Sequence, residues 1–195
     1  MENLFKILLL IQCVFISNLC CAANPKDVDQ LKKQIDTQEE KGLDLENFDF
    51  RSQQEINALN LKKANLRKAN FEGMTLKDIK FNDAKLQGAN FKNTRIWRCD
   101  FSLCDLSDAN FEGALIDETS FTGTTLTYTN LSKTTQMSVN YDRSQINCLN
   151  LKDSTLTSVS FTRAVAHGIN TNNLNESRTS HEGAVWDIGM QHCTK

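Results

Sequence analysis

The chain has 195 residues, with 22 basic and 24 acidic side chains and a formal net charge of −2. A balance so close to neutral argues against a protein that binds nucleic acid through its overall charge. The distribution of charge along the chain is therefore more informative than its sum.

The amino terminus predicts a cleaved export signal. Lys6 precedes the apolar run 7–11, and small residues follow up to Ala23. A basic residue, a short apolar core and small residues, in that order, are typical of a signal peptide. We expect cleavage after Ala23, with Ala22 as the near alternative, and a periplasmic or secreted bacterial protein.

Two other interpretations of this segment stay open. A membrane anchor needs ~20 apolar residues, whereas this run is shorter and is interrupted at Gln12, Ser17 and Asn18. Lipid attachment at Cys20 or Cys21 would call for a leucine three residues earlier, where a polar residue stands. We therefore expect no stable membrane span after cleavage.

Residues 24–56 predict a capping helix and an irregular first turn. Asn24 and Pro25 suit the start of a helix, and Gly42 suits its end. Three apolar residues share one face of this helix: Val28, Leu31 and Ile35. We interpret the helix as a cover for an open strand edge, with a docking helix for a partner as the alternative. The irregular turn, one residue out of phase with the repeat after it, contains Leu43, Leu45, Phe48 and Phe50.

Residues 57–166 repeat with a period of five. Stepping by five from Leu61 to Ala166, 20 of the 22 positions hold a large apolar residue. Two residues before each of them, 18 of 22 positions hold Ala, Ser, Thr, Cys or Val. Two interlocked registers over this length indicate an internal repeat.

A period of five matches neither the 3.6 residues of a helix nor the two of a strand. It fits a short strand followed by a corner, with the small and the large residue both pointing inward. Four corners close a turn of ~20 residues, and turns stack at the strand spacing of ~4.8 Å. Because each buried large side chain contributes ~1.5–3 kcal/mol, stacked turns build a continuous core. The repeat predicts about five to six turns.

The repeat resembles a known family. Residues 64–68, 69–73, 89–93 and 109–113 read ANLRK, ANFEG, ANFKN and ANFEG. These runs resemble the Ala-Asp/Asn-Leu/Phe-x-x motif of pentapeptide-repeat proteins. The resemblance implies an all-β fold, a right-handed quadrilateral β-helix. It implies little about function, because the motif residues pack the core.

Charge along the repeat argues against one role known in that family. Its best-understood members are quinolone-resistance proteins that are thought to imitate DNA and carry strongly acidic rods. Here residues 57–98 hold ten basic and three acidic side chains, and residues 99–166 hold four basic and eight acidic ones. We therefore keep a DNA-mimic inhibitor or protector of a type II topoisomerase only as the alternative function. Nucleic-acid binding by the basic residues of the first half is disfavoured because no aromatic ladder accompanies the lysines.

One position breaks the large apolar register. Gln136 stands where a large apolar residue belongs, and Met137 follows it. We expect a local slip that turns Met137 inward, or a bulge. Tyr141 restores the register.

A surface patch is predicted around Trp97. Residues 20 apart stack in a four-sided coil, so Arg95, Trp97 and Arg98 lie next to the turn that contains Lys77. An outward Trp flanked by Arg has the composition of a binding hot spot. The alternative is a ring lying flat on neighbouring stems in cation–π contact.

Four cysteines remain after cleavage, and four cysteines allow three pairings. Cys99 and Cys104 occupy small inward positions and are predicted to pack in the core. Cys148 and Cys193 can form a disulfide if the tail folds back, which an exported protein permits.

No residue pattern points to catalysis, a metal or a cofactor. The three histidines, His167, His181 and His192, all lie in the tail without ligand spacing. Acidic residues of the repeat fall on flat walls, whereas active sites are concave. We expect a protein that is not an enzyme.

Residues 167–195 predict a carboxy-terminal loop and cap. The stretch 168–182 is rich in Asn, Ser and Thr and predicts an exposed loop, and 183–190 is apolar enough to fold back as a cap. Trp186 could instead anchor a homodimer through the terminal cap.

The predicted function is that of an exported, non-catalytic scaffold that binds another macromolecule, most simply a protein. Besides the topoisomerase alternative, an envelope-structural protein that assembles end to end remains open.

Overall fold

The computed structural model describes residues 42–52, 54–188 and Cys193. The predicted signal peptide and capping helix, within residues 1–41, lie outside the described residues.

The described chain is a right-handed, four-sided parallel β-helix of about seven turns. Its ten short strands are β1 (Glu55–Asn57), β2 (Thr75–Lys77), β3 (Arg95–Trp97), β4 (Leu115–Asp117), β5 (Thr135–Met137), β6 (Gln145–Asn147), β7 (Thr155–Thr157), β8 (Val165–Ile169), β9 (Asn175–Ser177) and β10 (Val185–Ile188). The order β1-β2-β3-β4-β5-β7-β9 forms one parallel sheet, and β10-β8-β6 forms a second. Consecutive strands of the first sheet pair residues one turn apart, from Glu55 with Thr75 to Asn57 with Lys77 at β1–β2. We call the outward surface of this seven-stranded sheet the long wall.

The five-residue unit bends because its last residue adopts a positive φ. Lys63 has φ of 57° and Leu103 has φ of 62°, and the same conformation recurs at successive corners. A polar residue before the large one often supports the bend, since Asn90 Oδ1 accepts a hydrogen bond from the backbone N–H of Lys92 at 3.1 Å. This local bond explains the Asn of the motif.

The same asparagines also join the turns to one another. The Nδ2 group of Asn90 donates to Oδ1 of Asn70 at 3.1 Å, and Asn130 donates to Asn110 in the same way. Asn150 continues the ladder by donating to Asn130 at 3.0 Å. Each amide thus supports its own corner and ties it to the adjacent turn.

The core consists of stacked columns of the large inward residues. One column stacks its rings at centroid distances of 4.5–5.0 Å through Phe81, Phe101, Phe121, Tyr141 and Phe161. A second stacks at 4.4–4.8 Å through Phe50, Phe71, Phe91 and Phe111. The two columns meet edge to face at 5.7–6.2 Å, a favoured arrangement of aromatic pairs.

The expected slip at Gln136 was wrong. Gln136 is fully buried and Met137 is 48% exposed, and β5 stays in register with β4 and β7. The inward amide is stable because it has partners: Tyr141 Oη donates to Gln136 Oε1 at 2.9 Å, and Gln136 Nε2 donates to Thr134 Oγ1 at 2.9 Å. A buried polar group costs little when its hydrogen bonds are made.

Tyr141→Phe should lower the free energy of unfolding by about 1–3 kcal/mol, because Gln136 Oε1 then lies buried without a donor. The double variant Tyr141→Phe/Gln136→Leu should recover most of this loss, since both polar partners are gone. Urea denaturation of the three proteins measures both effects. A double variant less stable than Tyr141→Phe would show that the pair does not account for the buried glutamine.

The coil extends further than the repeat predicts at both ends. Asp44 and Asp49 bridge to Asn65 and Asn70, 21 residues on, while β1 pairs 20 residues on. The one-residue offset predicted for this turn is therefore present, yet Leu45 and Phe50 are buried in the core.

At the carboxy-terminal end, the segment predicted as a loop after Ala166 continues the coil. There β9 pairs with β7, and β10 pairs with β8. The large inward positions of this turn hold mostly polar residues, among them Glu176 and His181, and they are not fully buried. The hydrophobic register therefore ends before the parallel pairing of the coil does. Trp186 closes this end by packing against Phe161, with ring centroids 5.0 Å apart.

Candidate binding surface

The four residues of the predicted patch lie side by side on the long wall. Parallel pairing of β2 and β3 places Lys77 beside Trp97, and Thr75 beside Arg95. Arg95 and Trp97 are the two outward residues of β3, because Ile96 between them points into the core. Arg98 follows at the corner with φ of 51°.

Two cations hold the ring of Trp97. Lys77 Nζ lies 4.5 Å and Arg98 Cζ 4.0 Å from the ring centroid. Both distances are within the range of cation–π attraction. Trp97 nevertheless remains 37% exposed, so its ring is oriented by the cations and still meets solvent.

Arg98 is itself oriented by an acid from the previous turn. Its Nε and Nη2 donate to the two carboxylate oxygens of Asp78, each at 2.7 Å. This bidentate pair fixes the guanidinium plane. Hydrogen bonding to Arg98 lowers the pKa of Asp78 below its ordinary value. The residues around Trp97 thus form one linked cluster.

Two further apolar residues extend the surface beyond the predicted patch. Leu115 on β4 pairs with Arg95 and is 47% exposed, and Met137 on β5 is 48% exposed. Trp97, Leu115 and Met137 therefore lie on three consecutive strands. The five-residue register predicts an outward side chain at both positions. The expected slip at Gln136 placed Met137 inward instead.

Acidic residues lie on the turn after the cations. Asp117 pairs in register with Trp97, and Glu118 stands at the corner after β4. Across the described residues, neither Asp117, Glu118 nor Arg95 has an oppositely charged group within ion-pair distance. The long wall therefore changes sign between β3 and β4.

The cysteines divide into a bridged and a buried pair. Cys148 and Cys193 form a disulfide with a Cα–Cα distance of 5.5 Å. Cys99 and Cys104 are free and buried. Burial raises the pKa of Cys99 to about 12 and raises that of Cys104 still further, so both thiols stay protonated and unreactive at neutral pH.

The described part of the chain holds neither a cluster of metal-ligating side chains nor a membrane-spanning helix. It contains no group of three or more His, Cys, Asp or Glu side chains that could hold a metal ion. Nor does any helix within it have the length and apolar character to cross a membrane. The exposed surface that stands out chemically is the long wall.

Comparison with known families agrees with the coil geometry. Residues 60–98 match the family described as pentapeptide repeats (8 copies), and residues 94–171 match the pentapeptide repeat region family. The chain is a pentapeptide-repeat protein. No curated protein matches it.

Solved structures similar to this pentapeptide-repeat protein share its fold. A trypsin-treated variant of QnrB1, a plasmid-mediated fluoroquinolone resistance protein, gives a TM-score of 0.63 at 13% identity, over 75% of this chain and 78% of that one. HetL, a pentapeptide-repeat protein involved in heterocyst differentiation regulation in the cyanobacterium Nostoc, gives a TM-score of 0.42 at 14% identity, over 87% and 92% of the chains. At 13% identity the likeness to the QnrB1 variant concerns the fold alone.

Proposed function

We propose that this pentapeptide-repeat protein is an exported, non-catalytic binding protein whose long wall holds another protein molecule. The observation that carries the proposal is the exposure of Trp97, Leu115 and Met137 on three consecutive strands of one parallel sheet. Large apolar side chains that cluster on a surface are typical of contact sites. Tryptophan and arginine are also the residues most enriched in binding hot spots.

Preorganisation supports the same conclusion. Lys77 and Arg98 hold the Trp97 ring, and Asp78 holds Arg98. A partner that docks on this ring meets a side chain whose rotamer freedom is already reduced, which lowers the entropic cost of binding. The binding role also fits the family, whose members are generally structural or binding proteins rather than enzymes.

Export is supported by two independent features. The first is the sequence of residues 1–23, which is typical of a signal peptide. The second is the Cys148–Cys193 disulfide, since disulfides persist in oxidising compartments outside the cytoplasm.

The fold likeness to QnrB1 does not bring a topoisomerase target to this chain. A surface that imitates DNA must present negative charge, whereas residues 57–98 carry ten basic and three acidic side chains. The charge of the first half therefore opposes DNA mimicry.

Site-specific photocrosslinking in the cells that make the protein tests the binding surface. A photoreactive residue at Leu115 should form an adduct with a protein, because Leu115 lies beside the patch. The same residue at Leu103, which is 63% exposed at a corner outside the long wall, is the matched control and should form none.

The substitution Trp97→Ala in the Leu115 crosslinking protein should abolish the adduct while leaving thermal unfolding almost unchanged, because the ring is partly exposed and lies outside the core. Equal adducts from positions 115 and 103, or an adduct that survives Trp97→Ala, would contradict the proposal.

A further inference from the structure

A cluster of cations lies on two adjacent sides of the coil, which follow the long wall along the chain. Its members are exposed basic residues of two consecutive turns, and we call them the basic ridge: Lys62, Lys63, Arg67, Lys68, Lys80 and Lys85. The backbone bridges Asn60–Lys80 and Asn65–Lys85 show that the two turns stack on both sides. Because stacked turns lie ~4.8 Å apart, the six cations concentrate their charge on a small part of the surface.

The cations of the basic ridge are not neutralised within the coil. Among the described residues, none of the six has an acidic side chain within ion-pair distance. On these two sides, residues 60–68 and 80–88 contain a single acid, Asp83, which stands at the corner one turn after Lys63. Six cations and one carboxylate leave the ridge with a net charge of +5.

Acidic residues border the ridge on the turns before and after it, but neutral amides bind them. Each of four bordering carboxylates accepts a hydrogen bond from an amide side chain of the two ridge turns: Asp44 and Glu46 from Asn65, Asp100 from Asn82, and Asp105 from Gln87. An amide satisfies a carboxylate without the use of a cation. The charge of the ridge therefore stays available to an external anion.

We infer that the basic ridge binds the surface of a bilayer that contains anionic lipids, so that the protein attaches to the membrane from outside. Phosphate-bearing headgroups carry the complementary charge, and clusters of about four to eight Lys and Arg side chains are typical of such contacts. The ridge is separate from the surface of the proposed function, because Trp97, Leu115 and Met137 lie on the long wall.

The shape of the ridge favours a broad surface over a small anion. Its two sides meet at the corner of Lys63, where a φ of 57° turns the chain, so the cations are spread over a convex edge. Small ligands are bound in concave sites, whereas a bilayer is wide enough to meet both sides. Five of the six cations are lysines, whose ammonium groups act as point charges on flexible stems and need no fixed geometry from the lipids.

A nucleic acid fits the ridge less well. Single strands are held by bases that stack on aromatic side chains, but the aromatic residues of these turns, Phe71 and Phe81, are fully buried. A strand or duplex that ran along the coil would also leave the ridge after two turns and meet the acids Asp100 and Asp105.

The charge along the coil also orients it on a bilayer. Residues 57–98 hold ten basic and three acidic side chains, whereas residues 99–166 hold four basic and eight acidic ones. An anionic plane attracts the first part and repels the second. We therefore expect the turns of the basic ridge to contact the bilayer while the later turns point away from it.

Vesicle flotation tests the inference with residues 24–195, the chain without its predicted signal peptide, so that the apolar run 7–11 cannot insert. The protein should float with phosphatidylcholine vesicles that contain about a third phosphatidylglycerol, and not with pure phosphatidylcholine. Sodium chloride at about 1 M should release it, because the Debye length falls to ~3 Å at that concentration.

The double substitution Lys63→Asn/Lys68→Asn should lower the partition coefficient about thirtyfold, since each cation near an anionic surface contributes a factor of about five. The matched control, Arg143→Asn/Arg163→Asn, removes the same charge from the second half of the coil and should bind as the unmodified chain does. All four residues are exposed corners with φ of 55–59°, which asparagine tolerates. Circular dichroism checks that both variants are folded.

An absence of flotation, equal flotation with both kinds of vesicle, or an equal loss in the two double variants would overturn the inference. Capture of the chain by duplex DNA without flotation on anionic vesicles would assign the ridge to nucleic acid instead. The crosslink at position 115 reports on the long wall, so the failure of one experiment is distinguishable from the failure of the other.

Discussion

Phe111→Asp should abolish cooperative unfolding of the protein. Phe111 is fully buried and stacks on Phe91 with ring centroids 4.6 Å apart, and it also meets Phe101 and Phe121 edge to face. Loss of a buried Phe alone costs about 3–5 kcal/mol, and a buried unpaired carboxylate adds several more. The total reaches the usual stability of a domain, about 5–15 kcal/mol.

The matched control for this variant is Leu103→Asp. Both substitutions replace a large apolar residue by aspartate, but Leu103 is 63% exposed at a corner. Aspartate tolerates the positive φ of that position, so the control should unfold almost as the unmodified chain does. A sigmoidal denaturation curve for Phe111→Asp would show that position 111 does not lie in a continuous core.

Removal of the disulfide should have the second largest effect. Cys193→Ser opens a loop with a sequence separation of 45 residues between its ends. The chain-entropy relation gives a loss of about 4 kcal/mol for a loop of this size. Urea denaturation of the variant beside the unmodified chain measures the difference.

The loss should concentrate in the last turn, because that turn has the weakest core. Its inward positions include the exposed Glu176 and the half-buried His181, and the buried Thr179 Oγ1 and His181 Nδ1 have no hydrogen-bond partner among the described residues. Hydrogen exchange in β9 and β10 should therefore accelerate in Cys193→Ser, while exchange in β3 and β4 stays slow.

A reducing agent provides the control for the disulfide variant. It should destabilise the unmodified chain to the level of Cys193→Ser and leave the variant unchanged, since Cys148 has lost its disulfide partner there and Cys99 and Cys104 are free in both proteins. An equal effect of the reductant on both proteins would show that the bridge is not the cause.

The five-residue period predicts most of this fold because every unit repeats the same physical requirement. A large inward residue and a positive-φ corner recur in each unit, so Lys77 and Trp97 can be placed side by side from their spacing alone. Gln136 could not be predicted in this way. Its burial depends on the hydroxyl of Tyr141, a contact between two side chains rather than a pattern along the sequence.

The five-residue hydrophobic pattern also does not predict the last described turn of the coil. Polar residues such as Glu176 and His181 fill inward positions of that turn, so the hydrophobic register disappears while the parallel pairing continues. The bidentate Arg98–Asp78 pair is a further contact of this kind. Spacing brings its partners near each other, whereas side-chain geometry makes them a fixed support for Trp97.

Intact mass spectrometry of the protein from each compartment of its native cell, after alkylation of the denatured but unreduced sample, tests most directly whether the protein is exported. We predict a chain that lacks residues 1–23, lies outside the cytoplasm and carries two alkylated thiols, Cys99 and Cys104. A full-length cytoplasmic chain with all seven cysteines alkylated would contradict export and the disulfide together, and would return intracellular targets to consideration.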